Sequence, residues 1–144
     1  MEFFQIEPEV SGVLGPRTVL DTGVFPPAIR HLHFEFEGWL GDCLLESFPA
    51  HVLTLACSQE CLDLGLTGCS FHDVDVSVGP SFHEAYSGPP LPSFVRAQFN
   101  GRAGEADFGL DAAHHLVVSR RALDLLRACG MKEAVVTPWR PAAG

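Results

Sequence analysis

The chain has 144 residues, 47% of them hydrophobic and 19% charged, enough apolar material for a packed core and too much for a disordered chain. Nine Lys and Arg against eighteen Asp and Glu leave a formal charge of −9, which disfavours direct binding to phosphate backbones or anionic membranes. No stretch approaches the ~20 consecutive apolar residues of a membrane span, and the opening segment carries Glu2 and Glu7 in place of a basic leader, so the expectation is a cytoplasmic protein.

Read in chain order, Phe3-Phe4-Gln5-Ile6 predicts a strand that runs into turn-rich sequence around Gly12, Gly15-Pro16 and Gly23, closed by Pro26-Pro27. The segment His31 to Glu37 alternates strictly. It predicts a half-buried strand with Leu32, Phe34 and Phe36 inward and His31, His33, Glu35 and Glu37 toward water. Trp39 to Asp42 and Glu46 to Pro49 read as a turn or short helix.

Two similar units follow. His51-Val52-Leu53-Thr54 leads into an apolar helical run ending at Gly65, and Leu116-Val117-Val118-Ser119 leads into another ending at Gly130. Thr54 and Ser119 suit the N-cap, where a hydroxyl accepts from the first free amides. The two glycines suit the left-handed stop. Cys57, Cys61 and Leu64 match the buried stripe formed by Ala122, Leu126 and Cys129, with Leu123 and Leu125 beside them in the second helix. Strands are predicted after each helix, at Cys69 to Val76 and at Ala134 to Thr137, the latter ended by Pro138. Between the units, Phe94 to Phe99 reads as a strand, Asn100-Gly101 as a tight turn and Gly104 to Asp111 as an acidic, turn-rich segment. The expected fold is one α+β domain over residues 1–144, with a mixed or antiparallel sheet of five or more strands and two principal helices. The two strand–helix–strand units are either a duplication or two ordinary units.

Chemistry is harder to find. Cys43, Cys57, Cys61, Cys69 and Cys129 form no CxxC pair and match no common zinc spacing, so they read as buried reduced thiols. No serine sits in a G-x-S-x-G elbow, and no glycine cluster gives a phosphate-binding loop. The pairs Glu35/Glu37, Asp73/Asp75 and Glu105/Asp107 have acid–base potential, but alternating acids more commonly make a solvated strand face. The expectation is therefore a binding protein without catalytic residues, metal or cofactor. Trp39 is an interface-anchoring residue type. With Glu35, Glu37, Asp42 and Glu46, and with the turn acids Glu105 and Asp107, it makes the candidate surface for a basic partner. Two alternatives stay open: a small ligand-binding or regulatory domain with an apolar pocket, and a metal-dependent enzyme using His31 and His33.

The run Leu116-Val117-Val118-Ser119-Arg120-Arg121-Ala122-Leu123-Asp124-Leu125-Leu126, with Gly130 and Ala134-Val135-Val136-Thr137-Pro138 after it, resembles the C-terminal signature of bacterial polymorphic-toxin immunity proteins. That group includes the myxobacterial double-CxxCG immunity proteins, and Phe3-Phe4-Gln5-Ile6 is similar to their opening strand. This chain has no CxxC motif, so their zinc ribbon is not implied. The resemblance implies a small cytoplasmic protein that neutralises a cognate toxin by binding it, and the acidity implies a basic, nuclease-type toxin.

Overall fold

The computed structural model describes residues 2–141; residues 1 and 142–144, the ends of the expected 1–144 domain, lie outside the described residues. Two helices fall where their caps predict. Helix α1 (Leu55–Asp63) starts from Thr54, whose hydroxyl accepts the Cys57 amide. Helix α3 (Arg120–Ala128) starts from Ser119, whose hydroxyl accepts the Ala122 amide. Gly65 and Gly130, at φ +65° and +106°, take the left-handed conformation that ends each one. The buried stripe of α3 is Ala122, Leu123, Leu125 and Leu126. In α1 it is Cys57, Ser58 and Cys61, while Leu64 caps the helix and is exposed. A one-turn helix, α2 (Phe82–Ala85), lies between the two units.

The strands are β1 (Phe3–Glu7), β2 (Gly12–Leu14), β3 (Val19–Asp21), β4 (Ala28–His31), β5 (His33–Phe36), β6 (Leu44–Ser47), β7 (Ala50–Thr54), β8 (Cys69–His72), β9 (Asp75–Val78), β10 (Phe94–Phe99), β11 (Gly101–Arg102), β12 (Phe108–Leu110), β13 (Leu116–Ser119) and β14 (Val135–Trp139). They make a five-stranded sheet β11-β12-β13-β1-β14, a four-stranded sheet β6-β7-β10-β8, a three-stranded sheet β2-β5-β9 and the ribbon β3-β4. The fold is α+β, as expected. The two strand–helix–strand units share a topology: β7 and β8 flank β10, β13 and β14 flank β1, and every one of these pairs is antiparallel. Each unit is thus a split β-α-β with one strand inserted from elsewhere in the chain.

The four-stranded sheet is apolar on both faces. Leu44, Leu53, Ala97 and Phe99 join a core with α1, α3 and the five-stranded sheet. Their neighbours Leu45, Val52 and Phe94 join a second core with Leu32, Phe34, Phe36 and Phe82. Strands buried on both faces lose the alternation that marks a half-exposed one, which is why Leu44 and Leu45 carry no strand signal and the end of β6, Glu46-Ser47, reads as part of a turn or short helix. Three other predicted elements differ. The strand at Cys69 to Val76 divides at Asp73-Val74, its halves serving two sheets as β8 and β9. Asn100-Gly101 makes no hairpin: β10 pairs with β7 and β8, whereas β11 runs parallel to β12. Strand β14 continues through Pro138 to Trp139, because it lies at a sheet edge where a missing amide is tolerated. Among the described residues, no helix is long and apolar enough to cross a membrane.

Candidate protein-binding surface

The loop after β5 is held from inside by two buried carboxylates. Glu9, 5% exposed, accepts the amides of Leu40 (2.8 Å) and Asp42 (3.1 Å) and the Ser11 hydroxyl. Burial raises its pKa above the ordinary carboxylate value, against the lowering effect of those amides. Asp42 is wholly buried, and its carboxylate accepts the amides of Lys132 (2.9 Å), Glu133 (2.9 Å) and Ala134 (3.1 Å), tying the loop to the segment before β14. The indole of Trp39 donates to the Asp42 carbonyl at 2.9 Å. Its ring packs on Tyr86 and Phe94 at centroid distances of 5.9 and 6.0 Å.

This anchoring fixes two aliphatic side chains in water. Val10 is 73% exposed and Leu40 61%, and they flank a hollow of about 290 Å³ that Ser11, Glu37, Gly38, Trp39 and Ala85 complete. An exposed aliphatic pair beside an aromatic and an acid, on a loop with little conformational freedom to lose, has the makings of an interface anchor. No family model, curated protein or solved structure matches the chain. The surface is read from its own chemistry.

The seven residues marked in the sequence do not converge. Glu37 and Trp39 share the hollow. Glu35 is half-buried in β5, beside Gly79. Glu46 lies on β6 with Oε2 3.2 Å from His51 Nε2, and Glu105, on the β11–β12 turn, pairs with Arg102 at 3.7 Å. Asp42 and Asp107 are interior, which removes both from the expected contact set: a carboxylate satisfied by its own fold has no oxygen to offer a partner. Asp107 is 7% exposed. It accepts from Arg121 Nε and Nη2 (2.9 and 2.7 Å), the Ser119 hydroxyl (2.6 Å) and the Thr67 amide (2.9 Å). The Arg121 guanidinium holds its carboxyl far below the usual carboxylate range.

The histidines are also separated. Leu32 divides β4 from β5, leaving His31 exposed and His33 2% exposed. The expected wet face of this segment is therefore reduced to His31 and Glu37. His31 pairs with Asp75 at 2.5 Å, and this contact holds the Asp75 carboxyl below its ordinary pKa. His33 Nδ1 accepts the Arg17 amide at 3.2 Å, which places the ring proton on Nε2, 2.7 Å from Ser77 Oγ. His33 thus donates to Ser77. In that tautomer it has no lone pair on Nε2 to take the serine proton, so the pair is not arranged as nucleophile and base. Among the described residues, no three His, Cys, Asp or Glu side chains are placed to hold one metal ion.

Val10, Leu40 and Glu9 carry no signal in the sequence. Each is a lone residue in a Pro/Gly-punctuated segment, where neither period 2 nor period 3.6 applies.

Proposed function

We propose that this chain is a cytoplasmic immunity-type protein that neutralises a basic protein toxin by binding it through the surface formed by Val10, Glu37, Trp39 and Leu40. The observation that carries the reading is the pinned loop after β5 together with the β1–β2 segment it is tied to, which keep Leu40 and Val10 exposed beside Glu37, a carboxylate with no ion pair among the described residues. Burying one such side chain contributes about 1.5–3 kcal/mol when it moves fully out of water. Glu37 adds attraction to a cationic face and speeds encounter at low salt. The likeness of residues 116–126 to the immunity-protein signature and the charge of −9 support the same reading.

The test is a pull-down from the native cell at low salt, followed by co-expression. A stoichiometric basic partner, toxic alone and harmless with this chain, is the expected result. Leu40→Ser is then expected to weaken binding about tenfold, corresponding to ~1.4 kcal/mol. Glu37→Lys is expected to slow association and flatten its salt dependence, with the melting temperature of both variants unchanged. Full protection by the Leu40→Ser/Glu37→Lys double variant would remove this surface from the function, and recovery of the protein with no partner would remove the function itself.

A further inference from the structure

A second feature lies at the opposite end of the four-stranded sheet. Strand β7 begins at Ala50, after Pro49, while β10 continues to Phe99. The space left past the start of β7 is a cavity of about 330 Å³, large enough for a small organic ligand and far larger than one water. Its walls include Ile29, Pro49, Phe99 and Leu110, and its polar lining includes His51 and Arg96.

Both polar residues are under-used. Arg96 Nε is buried and has no acceptor, and burial disfavours its charged form. Among the described residues it has no carboxylate partner. His51, 7% exposed, has its ring edge-on to Phe99 at a centroid distance of 5.0 Å. Its Nε2 lies 3.2 Å from Glu46 Oε2 without hydrogen-bond alignment. Cross-strand pairing sets Arg96 beside Val52 and His51 beside Ala97, on opposite faces of the sheet, and both line the cavity. Arg96 is half-buried, with its Nε shut off from water and no carboxylate beside it among the described residues. An arginine without an acid partner that lines a partly apolar hollow offers its guanidinium to an anion from outside.

We infer that this cavity is a binding site for a small monocarboxylate with an apolar body, its carboxylate on Arg96 and its body against Ile29, Phe99 and Leu110. A phosphate, with its second charge, would find no second arginine or lysine among the lining residues. A purely apolar molecule would leave the guanidinium unmatched. The inference is independent of the partner-binding surface, which lies on other residues.

Isothermal titration of the full chain with benzoate and with 3-methylbutanoate, against the neutral isostere benzamide, tests it. Saturable binding of at least one carboxylate is expected, with benzamide at least ten times weaker. The methyl resonances of Ile29 and Leu110 are expected to move during that titration. Arg96→Gln is expected to weaken carboxylate binding at least tenfold, whereas Arg30→Gln, on an exposed arginine paired with Asp21, leaves it unchanged. Ile29→Trp fills the cavity from the separate β3-β4 ribbon and is expected to block binding even if Arg96→Gln does not fold. Absence of saturation for both carboxylates up to about 10 mM, equal binding of benzamide, or unchanged affinity in Ile29→Trp would each overturn the site.

Discussion

Asp107→Asn separates a structural carboxylate from a contact residue more sharply than any other change. The side chain keeps its shape and loses its charge. In the folded protein, Oδ1 receives Ser119 Oγ and Arg121 Nε, and Oδ2 receives the Thr67 amide and Arg121 Nη2. An amide group must turn its NH₂ toward one of these pairs, setting donor against donor. One buried donor left unmatched costs about 1–3 kcal/mol, while the lost ion pair to the exposed Arg121 is largely screened by solvent. The expected loss is about 1–3 kcal/mol, or roughly 3–12 °C in melting temperature for a domain of this size. The pH dependence follows from linkage. The folded pKa of Asp107 is depressed, so its contribution is fully present above the unfolded value of ~3.9 and is lost as pH falls below it. Urea denaturation at pH 7 and pH 3 is the assay. Wild type should lose more stability between the two than Asp107→Asn. A variant within about 0.5 kcal/mol of wild type at pH 7, the range of ordinary surface changes, would refute the structural role and return Asp107 to the surface.

The other predictions concern the packing of the fold itself. Thr54→Ala removes the acceptor for the Cys57 amide and should lower stability by about 1 kcal/mol in chemical denaturation; no measurable change would mean that water caps α1 equally well. Gly15→Ala should destabilise by about 3 kcal/mol or prevent folding, because a Cβ there would sit 2.2 Å from His33 Nδ1. A soluble variant with wild-type melting behaviour would show that the loop over His33 is not packed as described.

Local rules performed well where a signal is local. Thr54, Ser119, Gly65 and Gly130 mark both helix ends because capping is decided within four residues of the cap. The alternation at Phe34 and Phe36 marks β5 for a similar reason, since period 2 is a property of the strand itself. What the sequence could not convey was which neighbour would cover the polar side of that strand. His33 and Glu35 look wet until the Gly15 segment and β9 are laid beside them, and both arrive from distant parts of the chain. Strand β6 was illegible for the converse reason: Leu44 and Leu45 serve different cores, so no alternation survives.

The acids make the same point for function. Asp42 and Glu37 are both acids next to a glycine in the sequence, yet one ties residues 132–134 to the loop and the other faces water. Net charge counts both. Only the second is open to solvent, so the charge of −9 overstates the number of carboxylates available at any one surface. Specificity in this reading comes from where apolar area meets a free carboxylate, and the buried acids matter indirectly. By holding the loop rigid, Glu9 and Asp42 spare Leu40 and Trp39 the ordering entropy that a mobile loop would lose on binding.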